Sequence, residues 1–258
     1  MLAVVSPAKK LDFETDVPEM SVSQPAFLDD TEELVDVARK KSRSDLMKLM
    51  GISENLADLN YQRFQHFSRP FDRNNAKPAI FAFRGDTYVG LDADTMKAKD
   101  IDWAEDHFRM LSGLYGLLKP RDLMQPYRLE MGTRLANPRG KDLYAFWDDK
   151  LSKEINEITK GHKNRSLINL ASNEYFKSIK TKVLDGPVIT PVFKEVKGGT
   201  AKVVGFSAKR ARGMMARYMI DNRLEDPQEL KKFNVDGYRY QDDLSTENEW
   251  VFTRIHDQ

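Results

Sequence analysis

Hydrophobic and polar positions alternate between two periods along this chain. Residues 2–5, Leu-Ala-Val-Val, form an unbroken apolar run closed by Pro7, the pattern of a buried strand. Lys9 and Lys10 stand at its exit, where ligand groups gather in sheets that carry helices; a solvated loop pair is the other reading. Residues 14–30 hold Pro18 and Pro25 among Ser and Asp and read as a surface loop. Asp30 or Thr31 then caps a helix to about Lys41, with Leu34, Val37 and Ala38 inward. Glu32 and Glu33 near its start and Arg39, Lys40 and Lys41 near its end suit the helix dipole. From Ser44, a possible cap, Leu46, Leu49 and Met50 mark a short helix. Met50-Gly51-Ile52-Ser53 is a tight turn, and Leu56, Leu59 and Phe67 return at helical spacing.

Further on, residues 79–83 predict a strand, Arg84-Gly85-Asp86 a turn, and Tyr88-Val89-Gly90-Leu91 a second strand-like run. Residues 101–111 predict a helix with Trp103, Phe108 and Leu111 apolar. Asp142 caps the clearest helix, whose stripe of Leu143, Trp147, Leu151, Ile155 and Ile158 is core packing. A short buried strand spans 167–171, and Asn173 can cap the segment after it. Lys197-Gly198-Gly199-Thr200 joins strands over 188–193 and 201–206 into a hairpin, and Ser207 caps a long helix. A short helix follows Asp226-Pro227, and residues 238–240 and 250–255 are strands. Strands and helices mix irregularly, with no repeat and no long linker. This predicts one α+β or irregular α/β domain over residues 1–258, with a central mixed sheet, in preference to a doubly wound sheet.

Three segments gather candidate chemistry. The hairpin over 44–67 resembles a helix-hairpin-helix, a motif that turns backbone N–H groups toward a DNA phosphate. Gly51, Ile52 and Ser53 would make that contact. An ordinary helical hairpin fits the same pattern; the usual second glycine is absent and Glu54 opposes an anion. Residues 109–132, RMLSGLYGLLKPRDLMQPYRLEMG, hold glycines at 113, 116 and 132 and prolines at 120 and 126. They also carry Arg109, Lys119, Arg121 and Arg128 against Asp122 and Glu130. So many backbone specialists predict shaped loops, which present binding groups. The helix after Ser207 carries Lys209, Arg210, Arg212, Arg217 and Arg223 against Asp221 alone. Arg210, Gly213, Met214 and Arg217 share one face, and Gly213 lets phosphate or a neighbouring element approach closely. Cations near a helix N-terminus add to its dipole and favour an anion.

The block LSGLYGLLKPRDLMQPYRLEMG closely resembles the signature of the YaaA family, the peroxide-stress resistance proteins of bacteria. SPAKKLDF at 6–13, FRGDTYVGLDA at 83–93, GKDLYAFW at 140–147, NLASNEYFKSIK at 169–180 and SAKRARGMMARYMIDNRL at 207–224 agree with it, in the family's order. The resemblance implies a single-domain mixed fold with a basic cleft, binding of double-stranded or branched DNA, and protection from hydrogen peroxide linked to lower free iron.

Composition narrows the chemistry. With Lys plus Arg at 41 and Asp plus Glu at 40, the net charge of +1 decides nothing about nucleic acid; the placement of the cations does. Cysteine is absent, which excludes disulfides, thiolate metal sites and a peroxide-sensing thiol. Histidines at 66, 107, 162 and 256 form no pair at metal-binding helical spacing, so no metal or other cofactor is expected. No Walker loop or GxGxxG occurs. The first apolar run is too short for a signal peptide and no segment suits a membrane span, so a cytoplasmic location is expected. A monomer is favoured, with the oligomeric state left open by the sequence. Two functions fit what remains. One is non-sequence-specific DNA binding through Lys9, Arg109, Lys119, Arg121, Arg128, Lys209, Arg210, Arg212 and Arg217. The other is an enzyme acting on a nucleotide or other phosphorylated small molecule, with Asp86, Glu130 and Glu174 as acid–base groups.

Overall fold

In the computed structural model the described residues are 1–255; His256, one of the four histidines, lies outside them. Leu2–Val5 forms β1 with every side chain buried, as a continuous apolar run requires. Beyond it Lys10–Leu11 (β2) makes a two-residue pairing. Helix α1 spans Leu28–Arg39 and begins before the expected cap. Asp30 and Thr31 sit inside it because both have interior partners. Asp30 meets Arg139 and Lys150, each at 2.6 Å, and the Thr31 hydroxyl donates to the carbonyls of Phe27 and Leu114. The hairpin is present as α2 (Arg43–Met50) and α3 (Glu54–His66). Ser42, not Ser44, caps α2, in a reciprocal capping box with Asp45. Gly51 closes α2 in the left-handed region at φ 60°, where glycine costs least. The inward face of α3 is Ala57, Asn60 and Phe64, while Leu56 and Leu59 are 37% and 43% exposed.

Lys77–Pro78 (β3) leads into a short helix, Ala79–Ala82 (α4), where a strand was expected. All four residues of α4 are buried, and a fully buried run carries no period to separate strand from helix. Phe83–Arg84 (β4) pairs with β2. Asp86–Leu91 is helix α5 rather than a strand, with Val89 exposed and Thr87, Tyr88, Gly90 and Leu91 buried. Helix α6 (Ala98–His107) stops earlier than predicted, and Phe108–Ser112 (β5) is a fully buried strand. Gly116–Leu118 (β6) and Leu123–Met124 (β7) complete the glycine- and proline-rich stretch, which then runs as loop. The long stripe is split into α7 (Leu143–Trp147) and α8 (Lys150–Thr159) at Asp148, which has φ 43°. Asp142 caps α7 as expected. Then come β8 (Leu167–Leu170), one turn of helix α9 (Asn173–Phe176), and the hairpin β9 (Val188–Lys197) and β10 (Thr200–Lys202). Ser172, not Asn173, is the N-cap residue of α9. Helix α10 spans Gly205–Asp221, so Ser207 lies inside its first turn instead of capping it. Strands β11 (Arg239–Gln241) and β12 (Glu249–Ile255) end the described chain.

One mixed sheet in the order β11-β12-β9-β8-β1-β5-β6, with β10 on β9, organises these elements. Its inner strands β12, β9, β8, β1 and β5 are parallel neighbour to neighbour; β6, β10 and β11 are antiparallel to theirs. The parallel core is larger than an α+β reading implies. From β1 the chain proceeds to β5 on one side, and from β8 it proceeds to β9 on the other. The carboxyl ends of β1 and β8 therefore part their connections in opposite directions and leave a crevice. Open parallel sheets bind ligands at such switch points.

Candidate functional site

The crevice is a cavity of about 430 Å³. Residues 6–10, leaving β1, form one wall, and Ser172, Glu174 and Tyr175, leaving β8, form a second. The loop after β7 gives Tyr127, Arg128 and Glu130; the start of α5 gives Asp86, Thr87 and Tyr88; α10 gives Lys209 and Arg212. The strand ends are tied at its base. The amide of Ser172 donates to the Ser6 hydroxyl (2.8 Å), the two hydroxyls lie 3.2 Å apart, and the Tyr88 hydroxyl donates to the Ser6 carbonyl (3.0 Å).

The loop bearing Arg128 is held by buried polar contacts. Ser112 Oγ and Tyr127 Oη are 2.6 Å apart, and the Tyr115 hydroxyl donates to the carbonyl of Gln125 while accepting from its amide. Helix α10 is held by a close backbone crossing: a Cβ on Gly213 would lie 1.8 Å from the Thr87 carbonyl oxygen, and one on Gly90 would lie 2.1 Å from that of Arg210. The element that Gly213 admits is thus α5. The crossing sets Lys209 and Arg212 beside Asp86 and Thr87 in the cavity lining.

Charge within the cavity is uneven. Lys9 reaches Glu130 at 2.7 Å, and Glu130 lies 3.5 Å from Arg128. Glu174 accepts from the amide of Gly132 at 2.9 Å. Arg84 is engaged by Asp12 and Asp94. Arg212 is different: among the described residues it has no carboxylate, hydrogen-bond or ring partner, and burial holds its guanidinium below its ordinary pKa. Tyr88, Tyr127 and Tyr175 have phenols pushed up by burial, so they remain neutral rings with hydroxyl donors. Among the described residues no group of three or more His, Asp or Glu is placed to hold a metal ion.

Of the residues singled out in the sequence, Lys9, Arg128, Lys209 and Arg212 meet here, and so do Asp86, Glu130 and Glu174. The others lie outside the lining. Buried Arg109 donates to the carbonyls of Glu105 (2.5 Å) and Phe108 (2.8 Å). Lys119 approaches Glu105 and Asp122 at 3.9 and 4.0 Å, and Arg121 bonds Asp102 at 2.5 Å. Arg217 bonds Asp221 (2.8 Å) and the Asp92 carbonyl (2.7 Å), fastening α10 to the segment after α5. Arg210 is exposed outside the cavity. At the hairpin turn, the Ile52 amide donates to Met47 O and Ser53 Oγ accepts from the Leu56 amide, so these groups are used within the hairpin. Sequence reasoning passed over Ser6, Ser172 and Tyr88 as site residues; only their place at strand ends and beside Gly85 hinted at them.

The family model described as Peroxide stress protein YaaA matches residues 1–244. The chain belongs to this family. A UPF0246 protein of Magnetococcus marinus is 56% identical over 255 residues, covering 98% of this chain and 99% of the relative. Others from Alteromonas mediterranea and Teredinibacter turnerae are 55% and 53% identical over 254 residues, covering 98% of this chain and 98% and 99% of theirs. Family membership therefore extends over every wall of the cavity. No helix among the described residues is long and apolar enough to cross a membrane.

Proposed function

We propose that this chain serves the bacterial response to hydrogen peroxide by binding DNA, and that the cavity takes one phosphate-bearing nucleotide of a DNA strand. The observation that carries the reading is the convergence of Lys9, Arg128, Lys209 and an unpartnered Arg212 on one crevice. A half-buried guanidinium without an anion is partly desolvated, and phosphate satisfies it with charge-assisted hydrogen bonds. Contacts to phosphate carry no sequence information, in keeping with binding that lacks sequence preference. At about 430 Å³ the cavity is of ligand size and excludes a duplex. Branched, frayed or damaged DNA presents a splayed nucleotide at least cost and is the preferred form. In this reading, limiting oxidative damage to DNA follows from that engagement, while a lowering of unincorporated iron is implied by the family resemblance alone.

A second reading is favoured by one feature, the three carboxylates Asp86, Glu130 and Glu174 among the cations. They equip the same cavity for acid–base chemistry on a free nucleotide or other phosphorylated small molecule. Fluorescence titrations with single-stranded, branched and duplex oligonucleotides and with mononucleotides, over a range of salt, decide between the two. The first reading expects branched and single-stranded DNA to bind more tightly than perfect duplex. Changing Lys209 and Arg212 together to Ala should weaken binding at least roughly tenfold and lower the salt slope by about 0.7, the value of one phosphate contact on a single strand. Unchanged affinity in that double variant removes the cavity from the explanation. Tight binding of one mononucleotide with none of DNA selects the second reading.

A further inference from the structure

A second guanidinium without a carboxylate partner stands on an element packed beside the Arg128 loop, outside the cavity lining. Arg63 lies in α3, less than a turn from the helix end at His66. The chain just beyond that end is clamped to the Arg128 loop: Gln125 Nε2 donates to the Ser68 carbonyl (2.9 Å), and the Ser68 amide donates to Gln125 Oε1 (3.1 Å). Arg128 follows Gln125 by three residues.

Two other arginines of the hairpin region are engaged. Arg43 bonds Asp58, and Arg69 bonds Asp29 (2.8 Å) and Glu32 (3.1 Å). Arg63 has one long bond to Asn60 Oδ1 (3.4 Å) and no carboxylate among the described residues. Arg128 has Glu130 at 3.5 Å, and its Nε is buried with no hydrogen-bond partner. Both side chains are half-buried. Beside that clamp, burial first, and then the positive charge of Arg128, hold Arg63 below its ordinary pKa. Two partly desolvated like charges beside an orphaned N–H donor form an arrangement that an anion completes.

We propose that Arg63 and Arg128 form a second phosphate subsite at the rim of the cavity, so that the ligand carries two phosphates in series. The inference rests on the nucleotide-binding reading of the cavity and deepens it. The hairpin then meets the ligand through the C-terminal half of α3 rather than through the Gly51 turn. Arg212 and Lys209 hold the phosphate of the inserted nucleotide, and Arg63 with Arg128 holds the next phosphate of the same strand. A free nucleoside diphosphate supplies the same pair of charges, and the test separates the two sources.

Affinities of the whole chain for dTMP, dTDP and the dinucleotide pdTpdT are measured by calorimetry at low salt, with Arg63→Ala and Arg63→Lys beside the unmodified protein. pdTpdT is expected to bind roughly tenfold or more tightly than dTMP. Arg63→Ala should erase that advantage and leave dTMP affinity unchanged, and Arg63→Lys should keep most of it. If dTDP gains the same Arg63-dependent advantage and pdTpdT does not, the subsite stands and its source is a free diphosphate. Equal affinity for one- and two-phosphate ligands, with dTMP still bound, overturns the subsite alone. No binding of any of the three overturns the cavity reading and the subsite with it. A purely structural Arg63 is recognised separately: its Ala variant would melt lower and lose dTMP affinity too. Relief of like-charge repulsion predicts an unchanged or higher Tm without ligand.

Discussion

What divides the arginines of this chain is the company each one keeps. Arg109, Arg121 and Arg217 resemble Arg212 in sequence surroundings, yet the first three find acceptors within the fold and Arg212 finds none among the described residues. Charge counting named segments that converge on the cavity only in part and could not sort within them, because the fold decides which cations meet an acceptor, as where Arg121 meets Asp102 and Arg212 meets none among the described residues. His162 shows another property invisible in sequence. It stacks on His107 at 4.5 Å, and burial lowers its pKa to about 4. A histidine at about 6.5 when unfolded and about 4 when folded excludes its proton in the native state. Its contribution to stability is complete above pH 6.5 and is lost progressively as pH falls through 6.5 toward 4. Urea unfolding at pH 7.5, 6 and 5 should show stability declining in the native chain, with a shallower decline in His162→Gln. Parallel pH profiles for the two proteins would remove His162 as the cause.

Among elements, the crossing of α5 and α10 sets the site. The sequence placed Gly213 on a face open to close approach, and a close approach is present. It did not reveal the approaching element, because Tyr88-Val89-Gly90-Leu91 read as a strand. Four residues are too few to separate a period of 2 from one of 3.6. The same weakness turned α4 into an expected strand, whereas the longer stripe through Leu143 to Ile158 was legible despite its break at Asp148. Gly213→Ala must push α5 away from α10, since its Cβ would fall 1.8 Å from a carbonyl oxygen. The cost is expected at about 3 kcal/mol, read from the urea midpoint. Gly161→Ala, with nothing within 4 Å of its added carbon, should stay within about 0.5 kcal/mol. A Gly213→Ala protein as stable as the parent would show that the crossing can yield.

For the molecule as a whole, the sequence supported one domain with a mixed sheet, and the order of strands was hidden. Order depends on pairings between residues more than a hundred positions apart, such as Leu2 with Leu167, which leave no local trace. The crevice between β1 and β8 follows from that order, so the candidate site could be anticipated only as separate blocks. Ser6 joins the two sides, and Ser6→Ala leaves the Ser172 amide without its acceptor. Removing that bond should cost about 1–2 kcal/mol and lower Tm by a few degrees, while unfolding stays a single transition. Loss of cooperativity in the melt would show that the two sides are separate folding units.

The contact between Lys9 and Glu130 gives the crevice an internal guest. Lys9 is 68% exposed and tethered only at its tip, while Glu130 stands where an incoming anion would compete for both Lys9 and Arg128. An arriving group must displace that carboxylate from its two cations before it can settle. In the nucleotide-binding reading Glu130 is thus a placeholder that the arriving phosphate displaces from Lys9 and Arg128.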